Sequence, residues 1–134
     1  MNEPSLFNAA VKSRLDEIDH VSFYDPGKVP GTPPGAYAIR FPSLGQTSRE
    51  RHDGKASGLR LEYTLMCVSN SIQGVLDVVN LVRGKIDGWR PPISTSIDPL
   101  EESMVGMIVP DTSVPGDTRY SVTMVYSTRM SRAG

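Results

Sequence analysis

The stretch LRLEYTLMCVSNSIQGVLDVVNLVRGKI, residues 59–86, decides the fold. Its first ten residues alternate between apolar and polar side chains. The apolar side consists of the odd-numbered positions Leu59, Leu61, Tyr63, Leu65 and Cys67. The polar side carries Arg60, Glu62 and Thr64. A period of two predicts a strand over residues 59–68 with one buried face, which is typical of antiparallel sheets.

The rest of this stretch predicts a helix that ends at Gly88. Its apolar side consists of Ile72, Val75, Leu76, Val79, Val82 and Ile86. Asn70 or Ser71 can cap the helix, and Gln73 follows Asn70 at capping-box spacing. Gly74 and Gly84 each cost about 1 kcal/mol inside a helix relative to alanine. They indicate either close approach to the sheet or to a neighbouring subunit, or simple tolerance.

The flanking sequence adds a first helix and further strands. Residues 5–19 have helical spacing, with Ser5 as a cap and an apolar stripe of Leu6, Phe7, Ala10, Val11, Leu15 and Ile18. Strands are predicted over residues 21–24, 37–41, 93–97, 104–109 and 120–128, with a turn-rich link over 110–117. The order predicts a single α+β domain over residues 1–134, with a mostly antiparallel sheet and two helices packed on one face.

Two connections contrast in composition. Residues 25–35, DPGKVPGTPPG, hold four prolines and cannot form a helix or an inner strand. Residues 43–58, SLGQTSRERHDGKASG, are polar without any apolar period, which predicts an exposed, mobile loop. Arg49, Arg51 and Lys55 make this loop locally basic, although two acidic residues nearly balance them. Both a plain solvated loop and a partner contact fit this composition.

Charge and cysteine content exclude several protein classes. Residues 1–67 carry eight basic against eight acidic residues and residues 68–134 carry six against seven, so neither half predicts nucleic-acid binding. Cys67 is the only cysteine, which excludes an intrachain disulfide. The sequence begins without a signal-peptide pattern and its apolar runs are too short to span a bilayer, so we expect it to fold in a cytoplasm.

The residues that carry chemistry are scattered. His20, His52 and Cys67 do not have the spacing of metal ligands, and Cys67 lies on the apolar side of its strand. No nucleophile elbow, P-loop or dinucleotide fingerprint is present. We therefore expect no enzyme, no metal and no cofactor. Trp89 follows the second helix and either caps the core or anchors an interface.

In the order of its segments the sequence resembles the tail terminator proteins of siphophages, especially those that infect actinobacteria. The resemblance rests on EPSLFNAAVKSRL at residues 3–15, VSFYDPGKVPGTPPGAYAIRFPS at 21–43, the stretch 59–91 that ends in GWRP, and VPGDTRYSVTMVYSTR at 114–129. It covers most of the chain, and GWRP after the second helix is its best single mark.

The resemblance implies a structural virion protein without catalytic residues, assembled in the host cytoplasm. Such proteins form a hexameric ring at the head-proximal end of the tail tube, where they end polymerisation and join the tail to a head-completion or adaptor protein. Partners are then further copies of the chain, the tail-tube protein and the adaptor, with DNA only passing through the lumen and no membrane. Candidate contact residues are Arg49, Arg51, Lys55, Trp89, Arg90 and Arg129. Residues 120–134 are candidate subunit contacts because exposed strand edges invite pairing.

Two other interpretations stay open. A head-closure or adaptor subunit of the phage neck is also a small ring protein, whereas a tail-tube protein fits less well because of the two helices. A small cytoplasmic ligand-binding domain is the distant alternative, and it predicts a concave pocket with convergent polar groups.

Overall fold

Two helices and seven strands form the part of the chain that the computed structural model describes, residues 3–31, 33–43, 46–48, 58–93 and 97–131. The helices are α1 (Glu3–Leu15) and α2 (Ile72–Ile86). The strands are β1 (Ser22–Tyr24), β2 (Ala36–Phe41), β3 (Gln46–Ser48), β4 (Gly58–Ser69), β5 (Glu101–Val105), β6 (Val109–Val114) and β7 (Asp117–Ser131). The predicted α+β class is confirmed.

All described strands belong to one sheet of order β1-β2-β4-β7-β5, with β3 also paired to β4 and β6 also paired to β7. Only the β1–β2 pair is parallel among them, so the sheet is mostly antiparallel as predicted. The long strands β4 and β7 pair over twelve registered positions and form the centre. Because β7 is paired on both sides, it is not the exposed edge that the sequence predicted for residues 120–128.

The core lies between the sheet and the two helices, on one face. Residues paired directly across antiparallel strands share a face, so Tyr63 and Leu65 of β4 point to the same side as Tyr126 and Met124 of β7. The side chains buried with these four from the helices are Phe7, Val11, Leu15, Val75, Val78, Val79, Val82 and Ile86. The prediction that both helices pack on one face is therefore confirmed.

The start of α2 explains one of the two helical glycines. Ser71 is the N-cap, and its hydroxyl oxygen accepts a hydrogen bond of 2.9 Å from the Gly74 N–H. The predicted capping box between Asn70 and Gln73 is wrong, because Ser71 is the cap and Gly74 therefore occupies the third helical position. The Gln73 amide donates to Asp77. A Cβ at Gly74 would collide with the Ser69 hydroxyl, which confirms close approach to the sheet.

Element boundaries differ from the predictions in three places. Helix α1 begins at Glu3 and ends at Leu15, so Ser5 lies inside the first turn and does not cap it. The predicted strand over 104–109 is two strands, β5 and β6, separated by residues 106–108. The predicted link over 110–117 is mostly strand β6, because its chain reversal needs only Pro115 and Gly116, the latter at φ 78°.

The predicted strand over residues 93–97 is reduced to one bridge between Ile97 and Met130 among the described residues, and residues 94–96 lie outside them. The predicted loop over 43–58 is shorter at its start. Ser43 is buried, its backbone exchanging two 2.8 Å hydrogen bonds with the Asn8 side chain, and Gln46–Ser48 pair with the outer end of β4. Residues 44–45 and 49–57 of that loop are outside the described part.

Strand β2 turns its larger apolar side chains away from the helices. Ala38 and Arg40 lie on the helix-covered face, whereas Tyr37, Ile39 and Phe41 lie on the other face. Arg40 is only 5% exposed, and its guanidinium contacts Asp16 at 2.9 Å and Asp25 at 3.6 Å. A buried cation needs such anions, so this ion-pair cluster places a charged residue under the helices.

Candidate interaction surface

The face of the sheet opposite the helices, here called the open face, carries apolar side chains. One row across it, set by the strand register, runs Phe41, Thr64, Val125 and Met104. The next row runs Tyr24, Ile39, Met66 and Thr123. Of these eight side chains, Met104 is 51% exposed and the other seven are half-buried. The open face is thus an apolar band without a covering layer from the described residues.

One end of the open face is charged. Arg60 and Arg129 are direct cross-strand partners, and the next row holds Glu62, Ser127 and Glu101. Arg60 and Glu62 form an exposed ion pair of 2.9 Å. A depression of about 360 Å³ lies at this end, between these strands and the chain at Asp98 and Pro99. Apolar rows with a charged margin have the composition of protein interfaces, with an apolar centre and a polar rim.

The proline-rich segment lies against the other end of the open face. Arg119 of β7 donates hydrogen bonds to the carbonyl oxygens of Pro34 at 2.7 Å and Pro33 at 3.4 Å. Tyr37 and Val68 beneath are 9% and 5% exposed, and burial raises the pKa of Tyr37. Arg119 therefore holds residues 33–34 in place and leaves the middle of the open face uncovered.

The most exposed apolar residues lie on the arm, which we define as residues 103–116. It comprises the end of β5, strand β6 and the turn into β7, and it extends past Tyr120, where β4 stops pairing with β7. Its exposed apolar residues are Met104, Val105, Met107, Val109 and Val114. Met107 is 85% exposed, and Asp111 is the only charged residue of the arm. Exposed apolar side chains that cluster on one segment are typical of contact surfaces, so the arm is the strongest interface feature among the described residues.

A groove between α1 and α2 is the second concave feature, with a volume of about 460 Å³. It is lined by Arg14, Glu17, Ile18, Asp19, His20, Asn80, Leu81, Gly84 and Lys85. Leu81 is 43% exposed. A Cβ at Gly84 would meet no atom within 4 Å, so close approach within this chain does not explain that glycine.

Of the residues proposed from the sequence as contacts, the described ones lie outside the arm: Trp89, Arg90 and Arg129. Arg49, Arg51 and Lys55 are outside the described residues. Trp89 packs against the core with the Arg14 guanidinium 5.3 Å from its ring centroid, and its carbonyl accepts the Leu100 N–H at 2.9 Å. This geometry supports the core-capping interpretation of Trp89.

Arg90 and Arg129 are both exposed, Arg90 after α2 and Arg129 at the charged end of the open face. Arg90 directly follows Trp89, and the Arg129 carbonyl accepts the Asp98 N–H at 2.9 Å, two residues before the Leu100 N–H that the Trp89 carbonyl accepts. The roles of Arg90 and Arg129 as contacts stay predictions. The sequence pattern predicts one strand and a turn-rich link here and does not single out the arm, although the run SMVGMIVP at residues 103–110 carries no charge.

Reactive side chains do not converge in the described ranges. Cys67 is fully buried, and burial raises the pKa of its thiol to about 12, so the nucleophilic thiolate is strongly disfavoured. Its sulfur lies 3.8 Å from the sulfur of Met124. Within residues 3–31, 33–43, 46–48, 58–93 and 97–131, no group of three or more His, Cys, Asp or Glu could hold a metal ion.

In the described part of the chain, neither α1 nor α2 combines the length and the apolar character that crossing a membrane requires.

Comparison with known proteins gives a likeness in structure alone. No protein-family model matches the sequence, and no curated protein matches it. A chain from a solved structure, the virion of a native gene transfer agent (GTA) particle, superposes with a TM-score of 0.67 at 15% sequence identity. The match covers 93% of this chain and 94% of that chain. The two chains therefore share a fold over nearly their whole lengths.

Proposed function

We propose that this chain is a structural subunit of a phage or phage-like virion, and within it the tail terminator. The protein would close the head-proximal end of the tail tube as a ring, a hexamer in the resembled family. Two independent observations support this proposal: the order of segments shared with siphophage terminators, and the full-length fold shared with a chain of a GTA virion.

The observation that carries the proposal is the uncovered apolar surface. The arm exposes five apolar side chains around a single charge, and the open face continues this surface through Met104 and Val125. Surfaces of this kind on a small domain mark protein contacts. A subunit whose function is binding geometry requires such a surface, whereas an enzyme of this size requires a pocket with converging reactive groups.

In this proposal the mechanism involves no bond chemistry, metal or cofactor. Head-to-tail contacts between identical subunits close into a ring when their rotation allows it. One face of the ring matches the last ring of the tail-tube protein, and the other face matches a head-completion or adaptor protein. DNA passes through the lumen without specific recognition, and no membrane takes part. Arg49, Arg51, Lys55, Arg90 and Arg129 are the proposed contacts to these neighbours, whereas Trp89, also a candidate from the sequence, packs against the core.

The proposal is tested by deleting the gene from the genome that encodes it and imaging the particles by electron microscopy. A terminator predicts overlong or ragged tails that are not attached to filled heads. Normal-length free tails beside filled heads would instead indicate the head-closure or adaptor role. Unchanged infectious particles would exclude any essential virion role. Complementation with the wild-type gene is the control.

A further inference from the structure

The arm exposes apolar side chains and a strand edge that no other described residue of the chain covers. Strand β6 is exposed at every position, and β5 is exposed at four of its five. Their outer edge has no further strand in the described part of the sheet. Eight successive residues, 103–110, carry no charge. Pro110 and the register shifts at Glu102/Met104 and Asp111/Val114 guard this edge against the addition of a strand. The exposed apolar side chains and the low charge of the arm are typical of the centre of an interface.

The groove between α1 and α2 has the complementary features. Leu81, which is 43% exposed, gives it apolar surface, and Gly84 leaves its rim without a side chain. Glycine in a helix costs about 1 kcal/mol relative to alanine. The Ser69 side chain leaves no room for a Cβ at Gly74, which explains the glycine there. At Gly84 no described atom lies within 4 Å of where a Cβ would be, so nothing in the described residues requires glycine at that position. A segment of another molecule that approaches the helix backbone would explain it.

Charge on the two surfaces is also compatible. Asp111 is the single charge of the arm, and hydrogen bonds from Ser113 lower the pKa of its carboxyl. The groove offers Arg14, His20 and Lys85 beside Glu17 and Asp19. Lys85 and Glu17 are 3.5 Å apart and remain partly exposed, so this weak pair leaves the ammonium able to receive a carboxylate.

The positions of the two surfaces favour a head-to-tail contact. The arm lies beyond β7 at one edge of the sheet, whereas α1 is tied to the β2 side through Asp16 with Arg40 and Asn8 with Ser43. The groove lies in the helix layer, where Arg83 of α2 pairs with Glu102 of β5 at 2.8 Å, and the arm lies at the sheet edge, so the two are different surfaces. Two different complementary surfaces on one subunit are what a ring of identical copies needs. A symmetric contact would instead require one surface that matches itself.

We propose that the arm of one protomer docks into the groove between α1 and α2 of a second copy of this chain. This inference rests on the ring of the proposed function. Met107 and Val109 would enter the groove beside Leu81 and Gly84, with Asp111 near Lys85. The contact repeats around the ring, each subunit giving its arm to one neighbour and its groove to the other.

The test uses particles complemented with a Met107→Cys/Leu81→Cys double variant and treated with a short bismaleimide cross-linker. A denaturing gel is expected to show a ladder of multiples of the chain mass that stops at the ring size. Cys67 is buried, so wild-type particles should give no ladder. Met107→Cys/Lys28→Cys is the matched control, because Lys28 is also exposed but lies in the β1–β2 connection.

Each other outcome overturns the inference in a recognisable way. Cross-linked dimers from Met107→Cys alone would mean that arms meet arms. A cross-linked product with a different protein would mean that the arm contacts the tail tube or the head. If the particles contain the double variant but the gel shows no ladder, the arm does not lie in the groove of a neighbouring copy. Absence of the wild-type chain from purified particles would overturn the proposed function as well.

A charge variant keeps the inference testable if the double-cysteine protein fails to complement. Asp111→Lys is expected to lower the infectious titre at least about tenfold, since it places a cation against Lys85. Thr112→Lys adds the same charge at the neighbouring exposed position and should have a smaller effect. Equal titres for Asp111→Lys and wild type would contradict the docking.

Discussion

Strand β7 passes through two regions of the molecule that differ sharply. Between β4 and β5, every second residue of β7 is buried: Val122, Met124, Tyr126, Thr128 and Met130. Beside β6, none of residues 117–121 of the same strand is buried, and nearly every side chain of the arm that pairs with them is exposed. The core side of β7 therefore stabilises the protomer, whereas the arm adds little to the free energy of unfolding as long as its side chains stay exposed to solvent. Four predictions follow, in decreasing order of their effect on the free energy of unfolding.

Leu61→Ala tests the buried region most strongly. Leu61 is fully buried in the core of β4, and truncating such a leucine costs about 2–5 kcal/mol because a cavity remains. Met107→Ala, at an 85% exposed position of the arm, is the matched control and should change stability by less than about 0.5 kcal/mol. Urea denaturation of both variants measures this difference. Equal losses would contradict the division between the two regions.

Alkaline pH should weaken the buried region selectively. Burial raises the pKa of Tyr63 to about 12, whereas an unfolded tyrosine titrates near 10. Between these values the unfolded chain loses a proton that the native chain keeps, so stability is full below about pH 10 and falls as pH rises towards 12. Tyr63 accounts for about 3 kcal/mol of this loss in the free energy of unfolding. Urea denaturation from pH 8 to 12 should show a shallower decline for Tyr63→Phe.

The two glycines of α2 should respond in opposite directions. Gly74→Ala places a Cβ against the buried Ser69 side chain and should cost about 1–3 kcal/mol through overpacking. Gly84→Ala meets no atom in the protomer and should stabilise it by about 1 kcal/mol. Thermal unfolding of both variants measures this. Destabilisation by Gly84→Ala would mean that the helix needs glycine there for a reason internal to the chain.

Met107→Glu should have the smallest effect on stability and the clearest effect on assembly. The side chain is exposed, so the free energy of unfolding should change by less than about 0.5 kcal/mol. A carboxylate buried without a partner in an interface is costly, so incorporation into particles should fail. Lys28→Glu is the control for an added negative charge. Normal incorporation of Met107→Glu would show that the arm remains solvated in the particle.

The sequence predicted the centre of the molecule well because local pattern and burial agree there. The alternation in β4 and the apolar side of α2 each follow the period of their element, and both elements lie where the pattern predicts. Ile72 and Leu76 are the exceptions within α2, because they are exposed at 50% and 43%. A periodic stripe identifies a helix but does not tell how far its neighbours cover it.

The candidate surface was less predictable because it depends on contacts between distant residues. Trp89 stood out in the sequence, but its ring packs under Arg14 against the core. The sequence did not indicate the arm, because Met104, Val109 and Val114 are apolar residues that would be expected in the core if another layer covered their strands. The sequence made no prediction for the burial of Arg40, which depends on Asp16 and Asp25 coming together around its guanidinium.

The sequence by itself determined the α+β class, the central strand and helix, and the absence of disulfides, because these follow from local periodicity and residue counts. Only the tertiary structure decided which apolar residues are covered, which edge of the sheet stays bare, and which of the two helical glycines has a neighbour. The physical reason is that burial is a property of the packed layers. Two helices cover one face of this sheet, and the described chain provides nothing to cover the arm.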